Sequence, residues 1–263
     1  MELFFRKYGN GPPLIILHGL YGSSDNWVSI ARQLAGHFEV FLPDQRNHGN
    51  SPHTKEHNYL LLKEDLREFM DWQNIEKATI IGHSMGGKTA MFFAADYPER
   101  INHLVVADIS PRSYENADSL QIKSHAVIIK AMSDIDFYGI QSRDEIDIIL
   151  SKSIADKRVR QFLLKNISRT DDNEFTWKLN LKTIQTEIKS IMQGLPLNQQ
   201  EITGFPVLFL KGANSDYITE EDFHLINKIF PQAEIETIPD AGHWLHAEQP
   251  ELFIKKVMKF IFN

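Results

Sequence analysis

The stretch "ATIIGHSMGGKTAMFF", Ala78 to Phe93, decides the fold. An apolar, strand-like run from Ala78 to Ile81 meets a knot of glycines around Ser84, and a helix-like pattern follows at once. Gly82-His83-Ser84-Met85-Gly86 fits G-x-S-x-G, and Gly87 extends it. A serine on so tight a strand-to-helix turn is pushed outward. Side chains at the flanking positions would collide with the adjoining strand and helix, so glycine stands there. The helix that follows aims its free N–H groups at the same point. The turn is either structural only or the seat of a nucleophile.

Working outward, similar aliphatic runs recur in "PLIILHG" (Pro13 to Gly19), "FEVFLPD" (Phe38 to Asp44), "HLVVADIS" (His103 to Ser110), "PVLFLKG" (Pro206 to Gly212) and "AEIETIP" (Ala233 to Pro239). Near-continuous β-branched runs are expected of strands covered on both faces. Amphipathic helical patterns lie between them, at Asn26 to Leu34, Asn58 to Met70, Glu220 to Ile229 and Pro250 to Phe262. This alternation predicts an α/β protein with a mostly parallel sheet and helices on both faces. From about Ser113 to Gly204 only helical patterns appear, which predicts a helical cap over 113–204 inserted into a core of 1–112 and 205–263.

With 263 residues, 42% hydrophobic and 24% charged, the chain suits one large globular domain carrying such an insertion. A net charge of −7 argues against nucleic acid as a partner. The absence of cysteine removes disulfides, thiolate metal sites and a thiol nucleophile, and is compatible with the cytoplasm. "MELFFRKYGNGPP" does not read as a signal peptide, and no apolar run nears the length of about 20 residues that a membrane span needs.

A serine nucleophile needs a base and donors for the oxyanion. His243, in "IPDAGHWLHAEQPELF", follows the last strand-like run, so its loop opens at the edge where strand C-termini gather. His246 is three residues on, but HExxH is absent and no acidic partner stands at metal spacing, so no metal is assigned. "LHGLYGSSDNW" (Leu17 to Trp27) turns a backbone N–H inward, and the Leu20 and Met85 amides are the candidate oxyanion donors.

Taken together, "LHGLYGSSDNW", "DQRNHGNS" (Asp44 to Ser51), "GHSMGG" and "DAGHWLHAEQP" resemble the α/β-hydrolase fold family, in family order over nearly the whole chain. With "DISP" (Asp108 to Pro111) they are similar to the small bacterial YbfF-type esterases. The resemblance implies a Ser–acid–His hydrolase with no cofactor. One point departs from the pattern. The family's usual acid slot, after the penultimate strand, falls on Ser215 in "LKGANSDYITEED", and Asp216 is one residue late. Asp108, at the end of the preceding strand, matches the acid of the YbfF-type arrangement. Asp108 is the favoured acid and Asp216 the alternative.

Asp44 and Arg46 brace their loop, Asp25 caps the first helix, Lys88 is an exposed helix charge, and Trp177 lies near the seam of cap and core. Trp244 is a candidate pocket wall. Apolar cap residues such as Val127, Ile128, Met132, Tyr138, Ile148 and Phe162 suit an uncharged or acyl-chain ester. The rivals are an acyl-CoA thioesterase, for which Lys152, Lys157, Arg158 and Arg160 are the local basic cluster, and a ligand-binding receptor on a hydrolase fold.

Overall fold

The strand-like runs owe their burial to an alternation finer than the sequence pattern suggests. Leu14, Ile16, Val40, Leu42, Ile81 and Val105 enter one apolar cluster, while Ile15, Leu17, Phe41, Ile80, Leu104 and Val106 enter another. Successive strand side chains point to opposite faces, so both faces of the sheet are apolar and both must be covered. In the computed structural model, which describes residues 1–116, 119–196 and 200–263, they are.

The strands are β1 (Phe5–Tyr8), β2 (Pro13–Leu17), β3 (Glu39–Pro43), β4 (Ala78–His83), β5 (Ile101–Ala107), β8 (Val207–Gly212) and β9 (Ala233–Ile238), numbered with a separate pair, β6 and β7, given below. Their order in the sheet is β1-β3-β2-β4-β5-β8-β9. β1 runs antiparallel to β3, and all other neighbours are parallel. The antiparallel edge strand β1 lies in a segment whose sequence gave no clear strand pattern. The Leu14/Ile16 face is covered by α1 (Val28–Leu34), through Ile30 and Leu34, and by the last helix, Pro250–Phe262, through Phe253 and Val257. The other face is covered by α2 (Tyr59–Trp72) and α3 (Met85–Asp96), and by α8 (Glu220–Ile229) through Ile226 and Ile229. Burying each Leu, Ile or Phe contributes about 1.5–3 kcal/mol, which makes this packing the main support of the sheet.

Register sets where the site can form. Leu17 pairs with Gly82, Gly82 with Val106, and Ala107 with Leu210. The C-terminal ends of β2, β4, β5 and β8 therefore stop at nearly one level. The loops after them open onto a common edge, where open α/β sheets bind ligands.

The chain between β5 and β8 carries α4 (Leu120–Ser133), α5 (Arg143–Ser151), α6 (Lys157–Leu164) and α7 (Leu181–Met192). It also holds a short antiparallel pair, β6 (Ile167–Arg169) and β7 (Phe175–Trp177), which corrects the expectation of helix alone. The turn signal was present in "TDDN", where Asn173 takes the left-handed conformation that Asn tolerates (φ 63°). Trp177 sits in this hairpin and donates its indole N–H to the Met132 carbonyl at 3.1 Å. The segment is tied to the sheet-bearing part by Tyr59 to the Ile191 carbonyl (2.5 Å), Asn166 to the Tyr21 carbonyl (2.5 Å) and Asn180 to Asn47 (3.0 Å).

Two of three local expectations change. Arg46 does not brace its own loop but forms a buried, two-pronged ion pair with Asp65 of α2, at 2.5 and 2.7 Å. Asp44 does brace the loop, accepting from the Ser24 and Asn50 amides at 2.6 and 2.8 Å. The turn before α1 is capped by Ser23 with Asn26, whereas Asp25 pairs with Arg6.

Candidate active site

The knot at Ser84 is built by close approach. A Cβ on Gly82 would lie 2.4 Å from the Gly86 carbonyl oxygen, and one on Gly86 would lie 2.3 Å from that of Leu17. No side chain fits there, so β2, β4 and α3 can meet. Ser84 itself holds φ 52°, ψ −118°, a strained conformation for a residue with a Cβ. It is 8% exposed.

The same edge brings His243 and Asp108 to Ser84. His243 Nε2 lies 3.0 Å from Ser84 Oγ, and His243 Nδ1 lies 2.8 Å from Asp108 Oδ2. A carboxylate only accepts, so Nδ1 carries the proton and Nε2 is free to accept from the serine hydroxyl. Asp108 is fully buried at φ 51°. Its other partners are the Gly212 amide, at 2.9 Å, and the Ser215 hydroxyl. The residue in the family's usual acid slot thus serves as a donor to the carboxylate one strand away. Asp216 is exposed, and its backbone carbonyl accepts from Arg112 at 3.3 Å. Asp216 is not among the hydrogen-bond partners of His243.

Leu20 and Met85 both line the small cavity at Ser84. Met85 is the first residue of α3, where a helix N–H has no intrahelical acceptor. Neither amide donates to another backbone group among the described residues.

His83, beside the serine, is engaged elsewhere. Its Nε2 lies 2.8 Å from the His243 carbonyl oxygen, so it donates there and ties the elbow to the loop of His243. Lys88 is not the exposed helix charge expected. It is 1% exposed, one turn along α3 from Ser84, and donates to the carbonyls of Pro111 and Arg112. Burial, then the nearby Arg112 charge, pushes its pKa well below the ordinary value. No single-residue pattern marks such a lysine, because its acceptors come from a loop 23 residues further on.

The cavity at Ser84 has room for about one water. Its walls include Tyr59, Ile109, Tyr114, His125, Ile191 and Met192. The cap residues singled out in the sequence do not line it: Val127, Tyr138 and Ile148 are exposed, and Ile128 and Met132 are buried in core packing. Trp244 lines a different, larger cleft of about 430 Å³ together with Phe162, Lys157, Arg158 and Lys165. Of the expected basic cluster only Lys157 and Arg158 reach it, while Arg160 pairs with Asp147 at 2.9 Å. No group of residues able to hold a metal ion occurs among the described residues.

The surrounding histidines are held neutral. Burial, followed by the His243 charge, pushes His125 and His246 down to about 3, and burial with Arg46 does the same to His57. These groups have an ordinary value of 6.5. Between the two values the unfolded chain binds protons that the folded chain does not, so stability rises with pH across that window. Each such histidine costs about 1.4 kcal/mol per pH unit on acidification. The melting temperature is expected to fall steadily from pH 7 to pH 4 in calorimetry. A flat profile over that range would show that these imidazoles are not sealed from solvent.

The sequence profile described as alpha/beta hydrolase fold matches residues 12–250. The chain belongs to the α/β-hydrolase family. Among its relatives in this family, a marine microorganism esterase of solved structure is 52% identical and superposes with a TM-score of 0.95, over 98% of this chain and 99% of that one. The sn-1-specific diacylglycerol lipase ABHD11 of Danio rerio is 38% identical, covering 98% of this chain and 80% of its own length. Esterase YbfF of Escherichia coli (strain K12) is 34% identical over 96% of this chain and 94% of its own. The protein is an esterase/lipase-type α/β hydrolase. No helix among its described residues is long and apolar enough to cross a membrane.

Proposed function

We propose that this protein is a carboxylesterase that cleaves small or acyl-chain esters through Ser84, His243 and Asp108. The observation that carries the reading is the unbroken hydrogen-bond chain from Asp108 through His243 to Ser84, at 2.8 and 3.0 Å. Ser84 attacks the ester carbonyl while His243 Nε2 takes its proton. The Leu20 and Met85 amides hold the oxyanion, and His243 then protonates the departing alcohol. Water, activated by the same imidazole, releases the acid and restores the serine. Asp108 holds His243 in the required tautomer and stabilises the imidazolium. The names of the relatives, esterase and diacylglycerol lipase, support an ester substrate. The cavity at Ser84 is too tight for an acyl chain as it stands, so residues 113–204 act as a cap that shifts to admit substrate. Labelling by a fluorophosphonate probe tests the nucleophile, and a receptor without an activated serine would stay unlabelled.

One observation favours a second reading, an acyl-CoA thioesterase. Lys157, Arg158 and Lys165 flank the apolar cleft beside Trp244, next in sequence to His243. If CoA phosphates bind there, hydrolysis of acyl-CoA should weaken steeply with salt, while hydrolysis of p-nitrophenyl esters should not. Equal salt dependence on both substrates would leave the ester reading alone.

A further inference from the structure

His125 and Tyr217 in the wall of the Ser84 cavity, with Tyr21 behind them, form a hydrogen-bond relay of defined direction. Tyr21, in the loop after β2, places its hydroxyl 3.1 Å from His125 Nδ1. His125, on α4, places Nε2 3.2 Å from the Tyr217 hydroxyl. Tyr217 lies in the loop after β8 and stacks on the His243 ring, 3.8 Å between centroids at 19°. His125 is 9% exposed and Tyr21 only 3%.

A neutral imidazole has one N–H and one bare nitrogen, so it can accept from one tyrosine and donate to the other, but cannot do the same for both. Neutrality fits its surroundings, since burial holds the His125 pKa down at about 3. The two tyrosines are not equivalent. Tyr21 is sealed, and His125 is the partner of its hydroxyl. If Tyr21 accepted instead, its own O–H would be buried without an acceptor, an arrangement native structures avoid. Tyr21 therefore donates to Nδ1. His125 then carries its proton on Nε2 and donates to the Tyr217 oxygen. The Tyr217 O–H is left over, and Tyr217 lines the cavity that holds Ser84. Tyr21 also keeps φ 61°, a strained conformation that the surrounding structure must hold in place.

We propose that the Tyr217 hydroxyl, oriented by the Tyr21–His125 pair, donates a hydrogen bond to a second oxygen of the substrate, one beyond the reacting ester carbonyl. The carbonyl oxygen itself already has the Leu20 and Met85 amides as donors. Tyr217 is thus a specificity residue that selects oxygenated esters over their hydrocarbon counterparts, and Tyr21 and His125 are positioning residues. The inference rests on the esterase reading and narrows its substrate class.

Two isosteric pairs test it. p-Nitrophenyl methoxyacetate against p-nitrophenyl butyrate places an oxygen or a methylene in the acyl chain. 2-Methoxyethyl butyrate against n-butyl butyrate does so in the alcohol. The readout is the ratio of kcat/KM within each pair, compared between wild type and variant, so that intrinsic reactivity cancels. Tyr217→Phe should lower the ratio in at least one pair by about three- to tenfold, the worth of one hydrogen bond. Tyr21→Phe should lower the same ratio, because His125 is then free to take the other tautomer and accept from Tyr217. The double variant should go no further than Tyr217→Phe alone. Unchanged ratios in Tyr217→Phe would overturn the proposal, and an effect of Tyr217→Phe without one of Tyr21→Phe would overturn the relay. If wild type hydrolyses no member of either pair, the esterase reading fails and the inference fails with it.

Discussion

Ser84→Ala is expected to abolish ester hydrolysis, lowering kcat by about 10⁴–10⁶-fold while the protein melts within a few degrees of wild type. The size follows from the role. Removing a serine that acts as a unit with its base leaves only binding and oxyanion stabilisation. The fold should survive because alanine keeps the Cβ that Ser84 already holds at φ 52°, so the strained turn is no worse. The elbow is set instead by backbone contacts at Gly82 and Gly86, which the substitution does not touch. The measurement is p-nitrophenyl ester turnover beside a thermal melt. Retention of wild-type turnover by a folded Ser84→Ala protein would remove the nucleophile assignment.

Asp108→Asn should be nearly as severe, with kcat down by about 10⁴-fold, whereas Asp216→Asn should stay within a few-fold of wild type. Asp108 takes donors from the Gly212 amide, the Ser215 hydroxyl and His243 Nδ1. An amide at 108 must present its NH₂ to one of them, which opposes a donor to a donor or flips the His243 tautomer. Asparagine tolerates the left-handed backbone that Asp108 occupies, so the loss should appear in kcat rather than in folding. Asp216 is exposed and is not a hydrogen-bond partner of His243, so its loss should leave the base in place. The opposite ranking of the two variants would transfer the acid's role to Asp216.

Much of the architecture was legible because its signals are local. The six runs from Pro13 to Pro239 hold strands, and the helices Val28–Leu34, Tyr59–Trp72, Glu220–Ile229 and Pro250–Phe262 fall on amphipathic patterns read directly from residue spacing. The β6–β7 hairpin was missed because three-residue strands carry too little periodicity to register. β1 was missed because an edge strand has one neighbour and need not be apolar throughout. Lys88 was misread because a lysine on a helix is exposed unless some distant loop supplies acceptors, as Pro111 and Arg112 do.

The sequence by itself determined the α/β-hydrolase frame, the elbow at Ser84 and the loop of His243, because glycine spacing and strand–helix alternation are properties of neighbouring residues. Only the tertiary structure decided which carboxylate faces His243, what Ser215 does in the usual acid slot, and which residues wall the cavity at Ser84. Those depend on the backbone angle at the end of β5 and on side chains reaching across from β8 and α4. Residues over a hundred positions apart in the chain become neighbours there, as Ser215 and Gly212 do with Asp108, and no local pattern records that meeting.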